Sequence, residues 1–159
     1  MRAEISGITD AFFRAMEAGW AQEASTVSIP QFPGSKVISF QHGPYRVLDT
    51  YFESPDSDKS TGITLIWHED VPVWVMHYHG HYAKAAIPFL KQCLLKAYAT
   101  ERRFYGGRGP FFVSDDGLIY MNQVTRHAPE DFEGREEIYD SARQSLGYHW
   151  YRGGSLTEC

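Results

Sequence analysis

The chain of 159 residues is expected to fold as a single α+β domain. The expected architecture is a mostly antiparallel sheet of about seven or eight strands with two helices, set out as two pseudo-symmetric helix-plus-strands halves. Three observations predict it. Residues 62–81 read as two strands around a charged turn and are the most apolar, aromatic and histidine-rich stretch of the chain. Two segments with apolar residues at helical spacing lie far apart, each followed by several short strand-like runs. The halves also resemble each other at an offset of about 72 residues: Gly62, Ile66-Trp67 and Tyr78-His79-Gly80 align with Gly134, Ile138-Tyr139 and Tyr151-Arg152-Gly153. Two copies of one unit predict a cleft where they meet.

The first helix is expected over Ser6 to Glu23, with Ile8, Phe12, Ala15 and Gly19 on one stripe and Ser6 or Thr9 as cap. Ala24 to Ser35, with its serines, prolines and Gly34, reads as a loop. Lys36 to Gln41 and Tyr45 to Glu53 read as strands around His42-Gly43-Pro44, and Ser54 to Ser60 as a surface loop. In the second strand Asp49 lies among aromatic residues, where a carboxylate pKa is pushed up if the group faces a pocket.

Ile63 to Trp67 and Val73 to Tyr78 form the central hairpin, with Pro72 placed where its missing N–H is harmless. Alternation puts Trp74, Met76 and Tyr78 on one face and Val73, Val75, His77, His79 and His81 on the other. Both faces begin apolar, which predicts a central strand covered on both sides. His77 and His79 would have Cβ atoms roughly 6.5–7 Å apart, near enough to share one metal ion, with His81, His68 or His149 as further ligands.

The second helix is expected over Ala83 to Thr100, with Ile87, Leu90, Leu94 and Ala97 buried and Pro88 in the first turn. Arg102 to Pro110 is a glycine-rich connector without the lysine of a phosphate loop, and Arg102, Arg103 and Arg108 read as a solvated basic patch. Phe111 to Val113, Gly117 to Thr125, Asp131 to Tyr139 and Leu146 to Arg152 are the remaining strands.

The net charge of −5 and the lack of a basic cluster argue against nucleic-acid binding. No apolar run approaches the ~18 residues of a membrane span, and no signal peptide is read at the N-terminus. Two cysteines, Cys93 in a helix and Cys159 at the end, make no disulfide framework and point to the cytoplasm. Aromatic residues make up 15% of the chain, a surplus that suits a ligand groove.

Several motifs in order resemble a bacterial family of unknown function. They are Ala11-Phe12-Phe13-Arg14-Ala15 with Gly19-Trp20-Ala21, then Asp49-Thr50-Tyr51-Phe52, Pro72-Val73-Trp74-Val75-Met76 with Tyr78 and Gly80, and Arg108-Gly109-Pro110. Tyr120-Met121-Asn122, Phe132-Glu133-Gly134-Arg135-Glu136-Glu137-Ile138 and Tyr151-Arg152-Gly153-Gly154 complete the set. Together they are similar to the domain of unknown function 5680. Some members of that family follow a helix-turn-helix domain, which implies ligand sensing. The chain departs from the family pattern at His77 and His79, where the resemblance implies Asn and Tyr, so a metal site there would be private to this chain. Glu136 shares a strand face with Phe132, Gly134 and Ile138, which makes it the carboxylate best placed for a structural or functional role.

The favoured reading is a small-molecule binding or sensing module with an aromatic-lined cleft and no cofactor. Its ligand-binding candidates are Asp49, Tyr51, Trp74, His77, Asn122 and Glu136. The alternative is a zinc-dependent hydrolase, with His77, His79 and His81 as ligands and Glu136 or Asp49 as base. A homodimer built on the hairpin face or the first helix is a third expectation.

Overall fold

The hairpin expected at the centre is central. A computed structural model describes residues 3–21 and 26–157. In it β3 (Lys59–His68) and β4 (Val71–Tyr82) pair antiparallel, with His68 opposite Val71. Glu69 and Asp70 close the turn between them at φ 50° and 66°, the left-handed pair that a two-residue hairpin turn requires.

Before this hairpin come α1 (Ile5–Met16), β1 (Ser35–His42) and β2 (Tyr45–Glu53); after it come α2 (Ile87–Leu95), β5 (Phe112–Asp115), β6 (Leu118–Ala128), β7 (Asp131–Tyr139) and β8 (Ser145–Ser155). The sheet has eight strands in the order β1-β2-β3-β4-β8-β7-β6-β5, antiparallel throughout. Each half is one helix followed by a four-strand meander, and the two meanders join through their last strands. The internal repeat is therefore structural. Tyr78 lies opposite Gly62 in the first half and Tyr151 opposite Gly134 in the second. In both, the tyrosine ring lies over the glycine: an added Cβ would come within 2.3 Å of the Tyr78 hydroxyl and 2.2 Å of the Tyr151 hydroxyl. No side chain fits under the ring, so both halves keep glycine there.

The helical stretches differ in length from expectation. A wider turn over Glu17–Ala21 follows α1, and residues 22 and 23 lie outside the described part. In the second half a tight turn over Lys84–Ala86 precedes α2 and a wider turn over Lys96–Glu101 follows it, with Pro88 in the first turn. No helix among the described residues is long and apolar enough to cross a membrane. Cys159 lies outside the described residues. Cys93 is fully buried on α2, and burial pushes its thiol up to about 12, so it acts as a small apolar side chain.

The core lies on one face of the sheet, where Phe12 and Phe13 of α1 and Leu90, Leu94 and Tyr98 of the second helical stretch meet Trp74, Met76 and Phe132. Trp74 stacks on Phe132 with ring centroids 5.2 Å apart and donates its indole N–H to the Pro129 carbonyl at 2.8 Å. The expectation that β4 is covered on both faces is corrected here. Trp74, Met76, Tyr78 and Tyr82 are buried, whereas His77 and His79 are exposed on the opposite face, beside the exposed Trp150 of β8. Both helices pack on one side of the sheet, so aromatic and histidine side chains on the other side stay at the surface.

Candidate functional site

A cleft of about 970 Å³ opens where the halves meet, between the strands of the first half and the α2 side of the second. Its walls come from Lys36 of β1, Tyr51 and Glu53 of β2, the loop 54–58, Lys59 and Ser60 of β3, and Lys84, Ile87, Leu90 and Lys91 of the α2 region. Tyr78, Tyr82, Arg108 and His149 also line it. All four are buried, and three of them arrive from β4 and β8, the strands that join the halves.

Arg108 was expected in a solvated patch, and the structure overturns that. It is 2% exposed, held by a fully buried carboxylate. The guanidinium donates to Glu136 Oε1 through Nε at 3.0 Å and also through Nη2. Glu136 Oε2 accepts the Tyr120 hydroxyl at 2.6 Å, and that hydroxyl accepts the Gly109 N–H at 3.0 Å. Burial alone would raise the Glu136 carboxyl; the Arg108 charge overrides it and holds it below the usual range. The pair is therefore ionised, as a buried ion pair must be to be tolerated.

His149 sits between this pair and the cleft. Its Nδ1 is 3.3 Å from Arg108 Nη2 and 3.5 Å from Glu136 Oε1, and its Nε2 is 3.1 Å from the Ser60 hydroxyl. Burial lowers its pKa, and the Arg108 charge pushes the same way while Glu136 opposes. The ring is therefore neutral near neutral pH. A guanidinium can only donate, so the shorter Nδ1 contact makes Nδ1 the acceptor and assigns the ring hydrogen to Nε2. Nε2–H then donates to Ser60.

Asp49 lies beneath the cleft wall. Its Oδ1 accepts the Thr64 hydroxyl at 2.9 Å and the Tyr78 hydroxyl at 3.0 Å, and its Oδ2 is buried with no hydrogen-bond partner. Burial pushes its carboxyl up to about 6, against the two hydrogen bonds and the Arg108 charge. The Tyr78 ring lies against the guanidinium, with Arg108 Cζ 5.5 Å from its centroid.

The second half repeats this geometry without the opening. Tyr151 donates to Asn122 Oδ1 at 2.6 Å, as Tyr78 does to Asp49. There, however, the glycine-rich segment after α2 covers the pair: Asn122 Nδ2 donates to the carbonyls of Tyr105 at 3.0 Å and Gly109 at 2.7 Å. A Cβ on Gly106 would meet the Tyr151 ring at 3.0 Å. The connector fills the place that the cleft occupies in the first half.

The residues picked from sequence are thus spread over five settings. Tyr51 lines the cleft, and Asp49 and Glu136 form the layer behind Tyr78 and Arg108. Asn122 is in the filled half, Trp74 in the core, and His77 exposed on the far face of the sheet. His79 shares that far face, and His81 lies there against Tyr148 with ring centroids 5.0 Å apart. Among the described residues no group of three His, Cys, Asp or Glu side chains is arranged to hold a metal ion. Sequence reasoning missed Tyr82, Ser60 and the cleft-facing role of Arg108. The signal for Arg108 was its place beside Gly109-Pro110 in a segment too rich in glycine to be a solvated helix end.

Fold and cleft together define a class: a two-half α+β fold with a polar-floored cavity beside the Tyr78–Gly62–Asp49 unit of one half and the equivalent place filled in the other. Residues 49–156, about two thirds of the chain, match the family described as Domain of unknown function (DUF5680), and the chain belongs to that family. The match begins at Asp49 and takes in every buried residue of the cleft floor. No curated protein and no solved structure matches the chain.

Proposed function

We propose that the protein is a small-molecule binding module whose ligand occupies the cleft between β2–β4 and α2. The observation that carries this reading is the contrast between the halves. The same Tyr–Gly–carboxamide or carboxylate unit is sealed by the Tyr105–Gly109 segment in one half and left beside a cavity of about 970 Å³ in the other. That volume is in the range that small-molecule sites occupy. Glu136 fixes the Arg108 guanidinium from behind, so this cation is already oriented before a ligand arrives, while the buried Tyr82 hydroxyl has no hydrogen-bond partner. Tyr51, Ile87 and Leu90 offer apolar wall.

A fragment screen by thermal shift, followed by amide chemical-shift mapping, tests this. The expected result is a set of stabilising fragments whose shifts cluster on Tyr51, Ser60, Tyr82 and His149. A broad screen that yields no stabiliser, or only shifts elsewhere on the molecule, overturns the proposal.

A further inference from the structure

We infer that the cleft selects a ligand carrying a carboxylate, received by the Ser60 hydroxyl and the lysines of the α2 side. The inference rests on the binding reading above. It starts from hydrogen-bond direction. Arg108 cannot accept, so His149 Nδ1 accepts from it and Nε2–H points to Ser60 Oγ. Ser60 Oγ therefore accepts from the ring, and its own hydrogen has no acceptor among the described residues. The relay Arg108–His149–Ser60 turns a buried cation into an exposed-side donor. A ligand group meeting Ser60 finds a hydrogen offered, polarised from behind, and gains most if it can only accept.

The charge distribution points the same way. The chain as a whole has 15 Lys and Arg against 20 Asp and Glu. The cleft reverses that balance: Lys36, Lys59, Lys84, Lys91 and Arg108 line it, against Glu53, Asp56 and Asp58. Lys36 is paired to Glu53, and Arg108 to Glu136. Lys59, Lys84 and Lys91 have no ion-pair partner among the described residues, and two of them flank Ile87 and Leu90, the apolar wall. An apolar or aromatic body on that wall would place an acidic group among the lysines and Ser60. With Arg108 neutralised by Glu136 and Lys36 by Glu53, the remaining three lysines exceed Asp56 and Asp58 by one charge, so the site suits a single negative charge better than a phosphate dianion.

The test uses the full chain with four probes sharing one phenylalkyl body: the carboxylic acid, its primary amide, the corresponding amine and a phosphate monoester, each titrated at pH 7.5 by calorimetry. The acid is expected to bind tightest. Ser60→Ala is expected to weaken the acid by about tenfold or more and the amide by no more than about twofold, since a hydrogen bond to a charged group is the stronger. Amide or amine binding as tight as the acid leaves the cleft reading standing and overturns the inference, as does a tighter phosphate. Failure of all four probes at the cleft also overturns it, while the fragment screen judges the cleft separately. One readout needs neither ligand nor variant: long-range proton–nitrogen NMR on His149 should show the hydrogen on Nε2. A hydrogen on Nδ1 breaks the relay and sinks the proposal.

Discussion

The Tyr78 hydroxyl donates to Asp49 Oδ1 at 3.0 Å. At the equivalent place in the second half, Tyr151 donates to a carboxamide, Asn122. The two acceptors do the same structural work, yet Asp49 carries an ionisable group in a site where burial raises its carboxyl to about 6. A carboxyl whose pKa is higher folded than unfolded favours the folded state most below its unfolded pKa of ~3.9, and that advantage is lost as pH rises through about 6. Asp49→Asn removes this titration while keeping the acceptor for Thr64 and Tyr78. The stability of the variant minus that of the parent should rise by about 2 kcal/mol between pH 4.5 and pH 8. Urea unfolding at the two pH values measures it; a difference that stays flat or falls contradicts the burial argument.

The Arg108–Glu136 pair calls for a different experiment, because neither residue can be judged alone. Arg108→Met leaves a buried carboxylate without its cation, and Glu136→Gln leaves a buried guanidinium without its anion. Each should cost about 3–5 kcal/mol. The double variant should recover a large part of that loss, giving a coupling energy of about 2 kcal/mol or more in a double-mutant cycle. Additive losses would mean that the pair is not the unit that stabilises the junction of the halves.

Much of this fold was legible in the sequence. β2 and β7 coincide with the expected Tyr45 to Glu53 and Asp131 to Tyr139, because turn residues bound both. The parity of β4 was also legible: Tyr78 and His77 do point to opposite faces. Which face the helices cover was not, since both begin with bulky residues and only the packing of α1 and α2 decides it. The strand also continues through Gly80 to Tyr82, where a glycine reads as an end. Glu136 was legible as a buried carboxylate from its apolar neighbours. Its partner was not, because Arg108 is 28 residues away in an aperiodic segment. The asymmetry between the halves, which makes the cleft, depends on where the Tyr105–Gly109 segment folds back, and no spacing encodes that.

The far-face histidines provide a third prediction. His77 and His79 are exposed, and the described residues hold no group suited to a metal. Replacing both by alanine should leave stability within about 0.5 kcal/mol. Added zinc should shift the melting temperature of parent and variant alike. A zinc-dependent gain in the parent that the variant loses would restore a metal role for this row, and with it the hydrolase alternative.

Ser60, His149 and Glu136 stand in the sequence of contacts that a nucleophile, base and carboxylate adopt in acyl-transfer enzymes, with Ser60 Oγ 3.1 Å from Nε2 and Nδ1 3.5 Å from the carboxylate. The cation decides between the two readings. For Nε2 to take a proton from Ser60 it must be bare, which requires the ring hydrogen on Nδ1, facing Glu136. Arg108 Nη2 lies closer to Nδ1 than the carboxylate does and brings its own hydrogen. It also lowers the basicity of the ring. Ser60 is therefore not activated, and a fluorophosphonate probe at neutral pH should leave it unlabelled at times when an ordinary serine hydrolase is fully modified. Mass spectrometry of the intact protein reads the outcome directly. Stoichiometric labelling at Ser60, lost in His149→Asn, would show that Nε2 is bare and that the cleft performs chemistry instead of holding a ligand.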